Sequence, residues 1–162
     1  MHLKISSKLF SLSNKKDIYL NGENLYSMEP TNIVGDYCLK LIELKSGFVK
    51  ALIVRKTNFL SDSFTIRLLN EGNFPILFCR NVRWKHNYNC VYNGTKYRIE
   101  EIKKKYVIIR NDIIVAKWIK VEYNSFVEED NFEILDSCNE LEFIISMCLI
   151  IYQKEIVKRN PS

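Results

Sequence analysis

The chain has 162 residues, 47% of them apolar and 12% aromatic, and a net charge of +5. That length is one domain's worth, and the apolar share excludes a disordered chain. The charge is too modest to announce a partner and bears on solubility first. The five cysteines (Cys38, Cys79, Cys90, Cys138 and Cys148) are odd in number, form no CxxC pair and sit mostly in apolar runs. Such cysteines behave as small buried hydrophobes, so they argue for free thiols in a reducing cytoplasm and against a disulfide framework or a zinc site.

In chain order, Met1 to Phe10 is broken by polar residues and does not read as a signal peptide; His2 stands where myristoylation needs glycine. Leu3 to Leu12 reads as an opening strand broken near Ser6, and Asp17 to Leu20 as a short strand ending at Asn21-Gly22, a type I′ turn signal. Tyr37 to Leu44 alternates, turns at Lys45-Ser46-Gly47, and returns antiparallel as Phe48 to Arg55. Phe64 to Leu69 turns at Glu71-Gly72-Asn73 into Pro75 to Cys79. Asn87 to Tyr92, Asn93-Gly94 and Thr95 to Ile99 make the clearest hairpin, because two strands flanking Asn-Gly match the twist that a two-residue reversal needs. Tyr106 to Arg110 turns at Asn111-Asp112 into Ile113 to Val121, and Asn131 to Leu135 is a last short strand.

The end of the chain breaks the β pattern. Ser137 reads as a helix cap with Glu140 three residues on, and Phe143 to Tyr152 is apolar on every side except at Ser146. A helix with no polar face must be buried all round, yet this one is shorter than the ~20 apolar residues of a membrane span. The helix is expected over about 139–153, within a single barrel domain spanning 1–154, with 155–162 as a polar tail. Many short strands and one greasy helix predict a mainly β fold: a closed antiparallel barrel large enough to hold the helix inside, since a small barrel fills its interior with side chains alone.

This pattern resembles the tubby C-terminal-like superfamily of tubby proteins, phospholipid scramblases and LURP-one-related proteins. The resemblance is carried by Phe132 to Asp136 followed by Glu140 to Ile151, by Tyr106 to Ile109 with Ile114 to Trp118, and by Ala51 to Lys56 with Phe64 to Ile66. It spans most of Tyr37 to Tyr152 and implies about twelve strands closed around a C-terminal hydrophobic helix. The chain departs from the family where function sits: it has no scramblase-like cysteine cluster, and Glu128-Glu129-Asp130 is too compact for an EF-type calcium loop.

The only histidines are His2 and His86, and no HExxH, GxSxG or Gly-rich phosphate loop occurs. His86 with Cys90 lacks a third orienting group, so no catalytic residue, cofactor or metal is assigned. The candidate ligand residues are basic: Arg80, Arg83, Trp84 and Lys85, with Lys103, Lys104 and Lys105. Arginine forks onto phosphate oxygens and tryptophan suits a membrane interface. The plainer reading of 80–86 is one strand with Val82 and Trp84 inward, and of 103–105 a solvated turn. The sequence thus points to a non-enzymatic cytoplasmic barrel, peripheral at a membrane rather than transmembrane. It would bind anionic phospholipid headgroups or another phosphorylated ligand, not nucleic acid. The alternative is a protein-interaction or regulatory module with no lipid role.

Overall fold

A computed structural model describes all residues except 9–13, 34–35, 59–60, 71, 73, 83–84, 125, 138 and 160–162; side chains are also undescribed at 32–33, 36, 58, 61, 79–82, 85–86 and 157–158. The described residues form twelve strands and one helix. The strands are β1 (His2–Lys8), β2 (Lys16–Leu20), β3 (Glu23–Ile33), β4 (Asp36–Glu43), β5 (Val49–Asn58) and β6 (Ser61–Leu68), then β7 (Pro75–Val82), β8 (Lys85–Tyr92), β9 (Thr95–Ile102), β10 (Lys105–Arg110), β11 (Ile113–Tyr123) and β12 (Val127–Ile134). Each pairs antiparallel with its neighbour in sequence, and β12 pairs back onto β1 from His2↔Glu133 to Lys8↔Val127, closing the barrel. Closure leaves no edge strand to template aggregation. The mainly β, closed-barrel expectation therefore holds.

Alternation aims one face of each strand at the interior. Leu3 and Ile5, Leu39 and Leu41, Phe64 and Ile66, Tyr97 and Ile99, and Phe132 and Ile134 are all buried. Several reversals are two-residue turns with positive φ at both positions, as type I′ geometry requires. Asn93 (φ 48°) and Gly94 (φ 72°) join β8 to β9 in this way, and Asn21 with Gly22 joins β2 to β3.

Helix α1 (Leu141–Arg159) fills the barrel. At 1.5 Å per residue it is ~28 Å long, about the reach of an eight-residue strand. Phe143, Ile144, Ile145, Met147, Cys148, Leu149, Ile150 and Ile151 are all at most 1% exposed, so every side of the helix meets apolar side chains. Phe143 packs edge-on to Tyr97 and lies 4.3 Å from the Tyr92 ring centroid. Among the described residues no helix is long and apolar enough to cross a membrane.

Both ends of the helix differ from expectation. Asn139 adopts a left-handed φ of 62°, which interrupts helical geometry before the first turn. The first intrahelical bond runs from the Ile144 N–H to the Glu140 carbonyl, so Glu140 caps the helix; Ser137 instead accepts from the Glu140 N–H in the preceding turn. At the other end the helix runs on to Arg159, so 155–159 belong to its last turns, while 160–162 lie outside the described residues. The sequence reading also contained no strand over 23–33. Pro30 argues against a strand, because it cannot donate to a ladder; here it sits inside β3, opposite Leu39.

Candidate functional site

The topology gives the barrel two unlike ends. One carries the β2–β3, β4–β5, β6–β7, β8–β9 and β10–β11 connections and the start of α1; the other carries the β3–β4, β5–β6, β7–β8, β9–β10 and β11–β12 connections and the end of α1. At the entry end Tyr97 donates to the Glu140 carboxylate and Tyr26 donates to Glu142 at 3.4 Å. Burial and the Glu142 charge push the Tyr26 hydroxyl up to about 12, so it stays a donor at any ordinary pH.

The exit end holds two buried charge clusters. In the first, Asp62 on β6 accepts from the Lys154 ammonium at 2.6 Å and from the Tyr88 hydroxyl at 2.6 Å, and Arg55 of β5 lies 3.6 Å away. Burial raises the Asp62 pKa, but the hydrogen bonds from Lys154 and Tyr88 and the charges of Lys154 and Arg55 outweigh it and hold the carboxyl below its usual range. In the second, fully buried Asp130 on β12 accepts from Trp118 at 2.9 Å and from Arg159 at 2.6 Å, while Arg159 also pairs with Glu128. Here desolvation wins over the Arg159 and Trp118 hydrogen bonds, and the Asp130 pKa is raised. One reason is visible: Asp130 Oδ2 is buried without a hydrogen-bond partner.

The expected basic residues divide as follows. Arg83 and Trp84 lie outside the described residues, and the backbones of Arg80 and Lys85 are described without their side chains. Residues 80–86 are not one strand: β7 ends at Val82, which pairs with Lys85 at the start of β8. Lys103 (φ 49°) and Lys104 (φ 64°) form the two-residue turn between β9 and β10, and Lys103, Lys104 and Lys105 are all exposed. Because β8 pairs with β9, the Lys85 end of β8 and the Lys103-Lys104 turn fall on adjacent hairpins at the exit end.

Cys90 is buried, and desolvation pushes its thiol up to about 12, which keeps it a neutral thiol at neutral pH. Cys38, Cys90 and Cys148 are free, whereas Cys138 and the Cys79 side chain lie outside the described set, as does the His86 side chain. The buried charges Asp62, Asp130 and Lys154, and the partly buried Arg159, were missed by sequence reasoning. The available signal was weak: Lys154 comes two residues after the apolar helix tract, and Asp130 sits in an acidic run that reads as solvated. Comparison with protein-family models, curated proteins and solved structures gives no match.

Proposed function

We propose that the chain is a non-enzymatic barrel domain of the tubby C-terminal-like kind, cytoplasmic and peripheral to membranes, whose helix-exit end takes anionic phospholipid headgroups. The observation that carries this reading is the Lys103-Lys104 turn. Left-handed backbone costs an ordinary residue roughly 1–2 kcal/mol; the turns at Asn21-Gly22 and Asn93-Gly94 lessen that cost with Asn-Gly, and the turn at Asn111-Asp112 uses two residue types that tolerate it. Two exposed lysines are held there in spite of it, on the hairpin next to the one that begins with Lys85. Strain of this kind is kept where the side chain has work to do. Exposed Lys105 follows the same turn, and Arg80, Arg83 and Trp84 remain the further candidate ligand residues of this reading.

Flotation with anionic liposomes across a salt series tests it. The wild type should float at low salt and release as salt rises, because exposed charges are screened beyond ~8–10 Å at physiological ionic strength. Each lysine near an anionic surface adds about 1 kcal/mol. Lys103→Glu/Lys104→Glu and Arg83→Glu/Lys85→Glu should therefore each weaken binding by roughly 30-fold or more while the fold persists. Failure of the wild type to float at low salt ends the lipid reading.

A second reading is favoured by the opposite end. Phe48 is 70% exposed and Phe74 77% exposed, on consecutive connections at the entry end. Exposed aromatics of this size suit a protein partner. Pull-down with wild type and Phe48→Ser/Phe74→Ser separates the two readings.

A further inference from the structure

Between the last turns of α1 and the β3–β5 wall lies a cavity of about 230 Å³, opening at the exit end. Met28, Leu39 and Ile156 give it an apolar body, and Tyr37, about half exposed, stands at its mouth. Gln153 reaches into it from the helix and Arg55 from β5. Gln153 is only 5% exposed, and neither its amide oxygen nor its amide nitrogen has a hydrogen-bond partner. The Nε–H of Arg55 is likewise buried and unpaired, although the far side of its guanidinium faces Asp62 at 3.6 Å.

An unmet buried amide is costly, and native proteins rarely keep one without a use. Here the helix could have carried Leu or Met at 153, as it carries apolar residues at most positions before it. The unpaired groups define the missing partner. Two donors, the Gln153 Nε2–H and the Arg55 Nε–H, call for an acceptor, and the positive charge of Arg55 selects a negative one. The Gln153 Oε1 calls for a donor. The volume corresponds to about seven or eight waters at ~30 Å³ each, too small for a diacyl lipid and enough for a compact organic molecule.

We infer that this cavity is a binding site for a small organic acid that carries a hydroxyl or amide donor next to its carboxylate and a short apolar or aromatic body. The carboxylate accepts from Gln153 and Arg55, the ligand's own donor meets Gln153 Oε1, and its body lies against Met28, Leu39 and Ile156. The site is separate from the basic turns and does not depend on any membrane role.

The test is a titration of the full chain with 3-phenyllactate, followed by calorimetry and by amide chemical shifts. Two comparison probes accompany it: 3-phenylpropanoate, which lacks the hydroxyl, and 3-phenyl-1,2-propanediol, which lacks the carboxylate. Saturable binding of phenyllactate is expected, with shifts centred on Met28, Leu39, Arg55 and Gln153. Propanoate should bind at least several-fold more weakly and the diol weaker still. Gln153→Leu should lose binding tenfold or more and still fold, with an equal or higher Tm, because it removes an unmet buried amide. No saturable binding by phenyllactate, equal affinity for all three probes, or undiminished binding in Gln153→Leu each overturns the proposal and leaves the cavity as a water-filled gap.

Discussion

Where α1 enters the barrel, chain reversals use Asn21-Gly22 and Asn93-Gly94, and the exposed side chains include Phe48 and Phe74. Where α1 leaves, a reversal uses Lys103-Lys104, and the interior carries Asp62, Lys154, Asp130 and Arg159. One helix thus passes from an end whose carboxylates, Glu140 and Glu142, are only partly buried to an end that buries Asp62, Asp130 and Lys154. The difference teaches where stability and ligand chemistry are separable. The entry half keeps its carboxylates partly exposed at the helix start, and the exit half buries charges and keeps unmet polar groups such as Gln153.

The largest effect should come from placing a buried charge in the half whose described residues bury none. Ile144 is fully buried among apolar side chains, so Ile144→Asp leaves a charge with no partner. The cost of several kcal/mol is comparable to the whole stability of a domain, about 5–15 kcal/mol. The variant should fail to fold cooperatively by circular dichroism; a soluble variant with a sharp thermal transition would contradict the enclosed-helix architecture.

At the exit end the charges are already paired, so the effect comes from removing one. Lys154→Met takes the closest cation from Asp62 and leaves the buried carboxylate to the Tyr88 hydroxyl and to Arg55 at 3.6 Å, at a cost of about 1–3 kcal/mol in chemical denaturation, below that of a buried charge with no counterion. The double variant Asp62→Asn/Lys154→Met should recover part of that loss, because the weakened carboxylate goes with its partner while Arg55 loses its counter-charge. A double variant as unstable as the single one would mean that packing, not charge, is what Lys154 provides.

The same contrast explains what was legible in the sequence. The hairpins around Asn93-Gly94 and Asn111-Asp112 and the greasy helix were readable because period and turn residues are local signals. The exit-end clusters were not, because Lys154 meets Asp62 across 92 residues and Arg159 meets Asp130 across 29, and nothing near any of the four announces its partner. The helix end was misplaced for this reason: the charged run that begins at Lys154 looks like a solvated tail until Asp62 meets Lys154, and Glu128 and Asp130 meet Arg159. Strand β3 was hidden by Pro30, a local signal against a strand; the proline sits where the β2 ladder has already ended at Met28 and only β4 pairs alongside. The basic candidates were half legible. The turn at Lys103-Lys104 was expected, while 80–86 was read as one strand and is split between β7 and β8.

Acid titration sharpens the contrast within the exit end. Asp62 has a folded pKa below its unfolded value, so its contribution is present above the unfolded carboxylate range and is lost as pH falls through the folded value. Asp130 has a folded pKa above its unfolded value. Its contribution is fully present below the unfolded value and disappears as pH rises through the folded one. Asp62→Asn should therefore cost most at neutral pH and progressively less in acid. Asp130→Asn should cost less at neutral pH than in acid, where the wild-type residue is a well-matched neutral acid. Parallel stability–pH curves for the two variants would show that the two clusters do not differ as their environments imply.

The smallest effect separates stability from binding. Lys103 and Lys104 occupy backbone positions that Asn and Gly adopt more readily, as at Asn93-Gly94. Lys103→Asn/Lys104→Gly relieves the left-handed cost of roughly 1–2 kcal/mol per lysine. Part of that gain is offset because glycine adds entropy to the unfolded chain. A net gain of about 1 kcal/mol is expected, which raises Tm by a few degrees for a chain of this size. The same variant loses two of the basic groups assigned to the headgroup surface, so its flotation with anionic liposomes should weaken while its Tm rises. A turn held only for folding would not behave this way: the exchange would then raise stability and leave binding where it was, and the lysines would be an accident of composition rather than a site.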